Sequence, residues 1–422
     1  MHSALTRFPW FAPLLALYPL LYIAVTNPGQ TESGSVAMIA VVAIATSFAL
    51  LAILRGALST WSRAGLGVTW LCLLFYAYGP VNGWWLESVL AGIEQEAANP
   101  GWMAGNPQLL QSALWLVLLP LGLVALRRLR DPAVNRVTGA ANLMSFLLMG
   151  FLALQWAAHA LGGKAVDSVL SAGVTPAPSM VATAVAGAPD IYYIILDGYA
   201  RADTLAQYYD YDNGPFLDGL RARGFQVSLA SHANYNWTFL SLASSLNFDY
   251  LEPLMGAALD PGNMDREATY QLLRDNRAAA FLRARSYRFV QLQSTWGGTG
   301  TNPFADEFIP CEAGLFKSEY LRAIADASWL RALNARASMD VANCHLHNLK
   351  TLAEQAKRPG PKFVFAHFVP PHHPYLFDRE GHVLRHANLS DQFEFQKQLW
   401  EQRKPYLDQL IYMNGRIMAV VD

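Results

Sequence analysis

Charge is scarce in this chain: Asp, Glu, Lys and Arg make up 15% of 422 residues, with a net charge of −1. A chain so near neutrality gives no reason to expect nucleic acid as a partner. Cysteine is equally scarce, at three residues, which excludes a disulfide-rich scaffold. No internal repeat is present, so a solenoid or propeller is not expected. The glycine-rich stretch Trp296–Pro303 lacks the Lys-Ser/Thr ending of a phosphate-binding P-loop and reads as a turn. What the chain has instead is apolar residues, 53% of the total. They concentrate before Gly162, and the remainder has ordinary globular composition. Two parts follow: a membrane part and a domain long enough for its own core.

Five apolar runs are close to the ~20 residues that cross a hydrocarbon core: Trp10–Thr26, Ser35–Leu54, Ala64–Pro80, Leu109–Leu126 and Ala140–Leu161. A secretory signal at the first run is disfavoured, because no small-residue cleavage site follows it. The arginines fall on one side. Arg7 precedes the first run, Arg55 and Arg63 separate the second and third, and Arg127, Arg128, Arg130 and Arg136 separate the fourth and fifth. The alternate loops, Asn27–Gly34 and Val81–Gln108, contain neither Lys nor Arg. The positive-inside rule then predicts a cytoplasmic N-terminus and an outward location for everything after the fifth run. Tryptophans near the run ends (Trp10, Trp61, Trp84, Trp85 and Trp102) fit an interfacial belt. Residues 162–188, rich in Ala, Gly, Pro, Ser and Val, read as a linker.

Residues 189–422 read as α/β. Ile191–Leu196 is a continuous apolar run, as in a strand buried on both faces of a parallel sheet. It ends in Asp197-Gly198, which is either a turn or a carboxylate at the strand end where open α/β sheets place ligands. Further strands are predicted at Phe225–Ala230, Tyr287–Gln293 and within Pro361–Phe368. Helices are predicted at Phe216–Arg223, Tyr270–Arg285, Lys317–Ala335, Asp340–Ala356 and Lys404–Val421, with a short one capped by Asp203. Thr238 falls at a helix start, where it serves as an N-cap or as a hydroxyl in the positive end of a helix dipole. His367, His372 and His373 match no structural zinc spacing. A loop histidine after a strand is a proton donor, an anion contact or simply exposed. His345 and His347 are two apart on a helix, so they face different sides. Cys311 and Cys344 are a candidate disulfide if the domain lies in an oxidising compartment.

Three stretches carry a resemblance: I-I-L-D-G-Y-A-R-A-D, N-Y-N-W-T-F-L-S-L-A-S-S-L and P-H-H-P-Y. In these the chain resembles the alkaline phosphatase/sulfatase superfamily. More narrowly, it resembles membrane-anchored sulfatase-like proteins such as lipoteichoic acid synthases and phosphoethanolamine transferases. The resemblance implies a five-span transmembrane bundle and an alkaline-phosphatase-like α/β domain on the outer face of a bacterial inner membrane. It implies that Asp197 binds a divalent cation (Mn²⁺, Mg²⁺ or Zn²⁺). Thr238 would be the nucleophile and a second metal ligand. His372, Asn234 and Arg201 would contact an anionic phosphoester of a membrane lipid or envelope glycan. True sulfatases use a Cys or Ser in a Cys/Ser-x-Pro-x-Arg motif. Thr238-Phe239-Leu240-Ser241 departs from it, which favours phosphoryl transfer over sulfate-ester hydrolysis. The family also supplies a late Asp-His pair, and no such dipeptide occurs here. With the last helix still apolar-periodic at Asp422, the expectation is a chain truncated within its catalytic domain and inactive in this form. The rival expectation is a non-catalytic member that binds or senses lipid.

Overall fold

The computed structural model describes residues 8–27, 31, 33–81, 107–173, 187–255, 266–311, 314, 318–384 and 403–422. The chain divides into two units. One comprises Met1–Asn27, Thr31–Ala160 and Ala323–Leu333; the other contains Leu161–Arg322 and Asn334–Asp422.

The first unit is built on five helices: α1 (Phe11–Thr26), α2 (Ser33–Leu58), α3 (Trp61–Val81), α4 (Pro107–Arg128) and α5 (Asp131–Gly173). The last four are long and apolar enough to cross a membrane, while α1 is a shorter apolar helix of 16 residues. Large apolar side chains such as Val41, Ile53, Leu154 and Trp156 lie more than 60% exposed. In water that would be costly, whereas facing lipid it is the expected arrangement. Between helices, a buried apolar cluster (Phe11, Leu51, Leu58 and Val68) is joined by specific polar contacts. Asn142 accepts from the Phe11 N–H and donates to the Phe8 carbonyl, both at 2.9 Å. Gln111 donates to the Tyr78 carbonyl at 2.7 Å, and Trp115 donates to the Leu74 carbonyl at 2.6 Å. Apolar burial drives little association inside a bilayer, so such bonds and close packing fix helix pairs. Arg63 meets Asp131 at 2.8 Å and donates to the Leu129 carbonyl, and Arg127 donates to the Ala57 carbonyl. The two arginine-bearing connections therefore lie side by side. Helix α5 runs on to Gly173, so the first dozen residues expected as linker are helical. The tryptophans Trp84, Trp85 and Trp102 lie outside the described residues.

The second unit carries strands β1 (Ile191–Leu196), β2 (Arg288–Leu292), β3 (Glu307–Ile309) and β4 (Lys362–Phe368). They form one sheet in the order β1-β4-β2-β3, and every pairing is parallel. Helices are α6 (Ala202–Tyr209), α7 (Gly214–Ala222), α8 (Thr238–Asn247), α9 (Leu251–Met255), α10 (Glu267–Arg274), α11 (Arg277–Arg283), α12 (Glu319–Asp326), α13 (Asn334–Gln355) and α14 (Arg403–Val421). A 3₁₀ turn that belongs to the first unit, Trp329–Leu333, follows α12, where a single helix to Ala335 is expected.

Alternation along the strands sorts the core into two layers. Phe363, Phe365, Phe289, Ile191, Tyr193 and Ile195 pack with Leu242, Leu246, Leu272 and Leu273, from α8 and α10. Val364, Ala366, Phe368, Val290, Ile194 and Leu196 pack with Leu349, Leu352, Met413 and Ile417, from α13 and α14. The result is a three-layer α/β/α arrangement, as a parallel sheet requires.

Two strand expectations are corrected. β1 is not the middle of the sheet. It is an edge strand of intermediate burial, with no partner on its far side among the described residues, and β4 is the wholly buried strand. Phe225–Ala230 forms no strand: Phe225 and Leu229 are about half exposed. Without a neighbour to complete the ladder, its alternating apolar pattern has nothing to pair with.

Candidate functional site

Asp197 follows β1 directly. Its N–H donates to the Phe368 carbonyl at 2.9 Å, which extends the β1–β4 ladder by one residue. Gly198 then takes φ +66°, a conformation that costs glycine nothing and most residues more. The chain turns away there and leaves the carboxylate at the carboxyl end of the sheet.

Parity sets its direction. Odd-numbered residues of β1 and β4 face the α8 layer. Asp197 and His367 share that parity, and Ile195 is the register partner of His367. The His367 Nε2 lies 3.6 Å from an Asp197 carboxylate oxygen. Thr238 opens α8, whose N-cap is Trp237 in extended conformation with no side-chain cap. Thr238 is therefore not the N-cap. Its hydroxyl donates instead to Asp197, at 3.2 and 3.1 Å from the two carboxylate oxygens. A residue 41 positions away thus lands on the strand-end carboxylate, at the positive end of a ten-residue helix.

Burial alone would push the Asp197 carboxyl upward. The His367 imidazole, the nearby His372 and the Thr238 hydroxyl outweigh it and hold the group below the ordinary carboxylate range. It is ionised at neutral pH and acts as an acceptor or ligand, not as an acid.

His372 is tied to the same point through its backbone. Its N–H donates to the Asp197 carbonyl at 2.9 Å, while its Nδ1 lies 2.5 Å from the His373 carbonyl oxygen. His373 is buried, and desolvation pushes its imidazole down to about 3, so it is neutral at physiological pH. Of the three histidines in this stretch, His367 and His372 adjoin Asp197. His373 is packing.

Two residues expected on the substrate side are engaged elsewhere. Arg201 forms a two-pronged ion pair with Asp203, at 2.7 Å through both contacts, and reaches the Ser231 carbonyl and His232. Asn234 donates to the Ser244 hydroxyl on α8 at 2.9 Å. Both brace the loop that leads into α8. Asp203 does not cap α6 from outside: the cap position is Arg201 and Asp203 lies in the first turn. Cys311 and Cys344 form a disulfide, with Cα atoms 5.1 Å apart.

The sequence reading misses the residues that hold the site's loops. Tyr406 on α14 donates to the Gly198 carbonyl at 2.9 Å and accepts from the Ala200 N–H at 3.0 Å. Gln409, one turn on, accepts from the N–H groups of Leu376 and Phe377 and donates to the His372 carbonyl at 3.0 Å. Tyr199 donates to Asn414 at 2.7 Å. Polar residues inside an apolar helix were the available signal, because buried polar groups need partners. Among the described residues, Asp378, Glu380 and His382 are the His/Cys/Asp/Glu trio close enough to share an ion, and two of the three are exposed.

Comparison with known proteins finds no matching family model, no matching curated protein and no matching solved structure.

Proposed function

We propose that this chain is a membrane-anchored, metal-dependent phosphoester hydrolase or transferase of the sulfatase-like kind, with Thr238 as its nucleophile. One observation carries the reading: the Thr238 hydroxyl, at a helix N-terminus, donates to both oxygens of a strand-end carboxylate. The donor set fits a divalent cation. A carboxylate held ionised and a hydroxyl are oxygen ligands suited to Mg²⁺ or Mn²⁺, and equally acceptable to Zn²⁺. A bound cation lowers the hydroxyl pKa and offsets charge on the phosphoryl oxygens.

The chain's own residues do the rest. Asp197 accepts the Thr238 hydroxyl and so aims its oxygen. The N–H groups of Thr238 and Phe239 precede the first bond of α8, from Leu240 to the Trp237 carbonyl, and offer hydrogen bonds to an anionic oxygen. His372 places an imidazole next to Asp197, where it can pass a proton to a leaving oxygen. The membrane helices and the phosphoester chemistry together point to a lipid or membrane-linked glycan as substrate. The side-by-side arginine connections and the Cys311–Cys344 bridge support an outward-facing α/β unit.

The test uses the full chain in detergent micelles. A chromogenic phosphodiester and a glycerophospholipid are offered with and without divalent cation. Cation-dependent turnover that Thr238→Ala removes is the expected result. Turnover that survives Thr238→Ala would overturn the assignment of the nucleophile.

A further inference from the structure

The geometry points to His367 as a nitrogen ligand of the divalent cation, so that Asp197, Thr238 and His367 form a mixed O,O,N site that selects a Zn²⁺-class ion over Mg²⁺. This rests on the metal-dependent reading above and specifies its ion.

His367 is fully buried at the end of the wholly buried strand β4. Its two ring nitrogens are treated differently. Nδ1 lies 2.8 Å from the Thr299 hydroxyl. Nε2 has no hydrogen-bond partner among the described residues, although it is sealed from solvent. It faces the Asp197 carboxylate at 3.6 Å, beyond a hydrogen bond. A buried imidazole nitrogen left unpaired is costly. Protonation at Nε2 would aim an N–H at the carboxylate from too far away. In the alternative tautomer Nδ1–H donates to Thr299 and the Nε2 lone pair faces the ionised Asp197, an electron-rich pair that is favourable only with a cation between them.

That is the arrangement metal-bound histidines adopt, with the second nitrogen donating to a fixed acceptor. Thr299 is such an acceptor. Its N–H donates to the Trp296 carbonyl, and its carbonyl accepts from the Ser294 N–H and the Gln291 amide. Trp296 packs edge-on against the imidazole, with ring centroids 5.4 Å apart, and limits its rotation.

The separations also suit a shared ion. Bonds of ~2.1 Å at a tetrahedral angle put two ligand atoms ~3.4 Å apart. The observed spacings are 3.6 Å from imidazole to carboxylate and 3.1–3.2 Å from hydroxyl to carboxylate. Imidazole suits Zn²⁺ and its neighbours, whereas Mg²⁺ takes oxygen ligands and keeps its water.

The experiment measures cation binding, not turnover. The full chain in detergent is stripped with chelator, in a His382→Gln background that disables the exposed Asp378–Glu380–His382 trio. Zn²⁺ and Mg²⁺ are then titrated separately, and the Zn²⁺-loaded protein is examined by X-ray absorption for imidazole scattering. We expect one Zn²⁺ per chain, imidazole in its coordination sphere, and loss of binding in Asp197→Asn. His367→Gln should weaken Zn²⁺ roughly 100-fold or more and leave Mg²⁺ nearly unchanged. Thr299→Val, which keeps the ligand and removes its support, should weaken Zn²⁺ about 10–100-fold. If Zn²⁺ binds through Asp197 but His367→Gln and Thr299→Val match the parent, His367 is no ligand and the metal-dependent reading stands without it. If the parent binds no stoichiometric Zn²⁺ or Mg²⁺, both readings fall. Should His367→Gln not fold, the absorption spectrum of the parent still decides: a Zn²⁺ sphere without imidazole overturns the inference.

Discussion

Replacing Thr238 with Val tests the centre of the site with little change in shape. The substitution removes one hydroxyl that is shared between both oxygens of Asp197. A hydrogen bond to a charged group contributes roughly 1.5–3 kcal/mol. Contacts of 3.1–3.2 Å are long for a hydroxyl on a carboxylate, which places this one at the bottom of that range, about 1.5 kcal/mol, or some tenfold in an unfolding equilibrium. Partial solvent access to Asp197 offsets some of the loss, because its side chain is 17% exposed. A helix cap lost at this position would cost a similar ~1 kcal/mol, so the size of the effect cannot separate the two roles. Coupling can. Thr238→Val, Asp197→Ala and the double variant form a cycle, measured by pulse proteolysis in urea on the detergent-solubilised chain. A hydroxyl that acts through Asp197 gives a coupling of about 1–1.5 kcal/mol. Thr238→Ser should restore most of it. Coupling below ~0.3 kcal/mol would mean that the hydroxyl serves the helix alone, and the site as described would be refuted.

Four more outcomes are expected. Cys344→Ala should cost about 2–4 kcal/mol, because the bridge closes a loop across 33 residues; maleimide labelling of Cys311 and Cys344 in the unreduced protein would contradict the bridge. Acid should destabilise the α/β unit from about pH 6.5 downward. His345 and His373 are buried neutral, each pushed down to about 3. The unfolded chain therefore takes up their protons first, and stability falls by up to about 1.4 kcal/mol per pH unit for each until the folded groups titrate. His345→Gln should flatten that slope in urea midpoints measured at pH 4–7, and an unchanged slope would refute the assignment. Asp190→Ala should cost about 3–5 kcal/mol, since it strands the buried Lys362 ammonium, whereas Asp190→Leu with Lys362→Met should come close to neutral; equal losses in both would show that the pair matters only for packing. A reporter active only outside the cytoplasm, fused after Ala188, should give signal, and signal from a cytoplasmic reporter instead would reverse the orientation.

Much of the fold is legible in local pattern. The apolar runs at Ile191–Leu196 and Lys362–Phe368 are strands at the expected residues, and Thr238 begins a helix. What pattern does not carry is neighbour order. An edge strand and a central strand both read as apolar when one edge or both faces are covered, so β1 reads as central although β4 holds that place. The converse error is Phe225–Ala230, an alternating stretch with no ladder to join. β3, only three residues long, has too little sequence to announce itself.

The site was legible for a different reason at each residue. Asp197 at the strand end read as a turn or as a ligand carboxylate, and its candidate role came with the resemblance of motif. The pairing of Thr238 with Asp197 spans 41 residues, and no periodicity reaches so far; it came only through resemblance of motif. His367 had a usable signal that spacing rules concealed. Metal patterns count residues along one segment, and by that count the histidines at 367, 372 and 373 fit nothing. Strand parity asks a different question, namely which face each side chain takes. Phe363, Phe365 and His367 share one face of β4, and Ile191, Tyr193, Ile195 and Asp197 share the matching face of β1. A histidine at the end of an otherwise apolar face, one register step from a strand-end carboxylate, is a polar group with no local reason to be buried. Its reason is supplied by Thr299, 68 residues away, which fixes one ring nitrogen and leaves the other aimed at Asp197. The physics that makes this histidine costly in an apolar layer is the same physics that makes it informative.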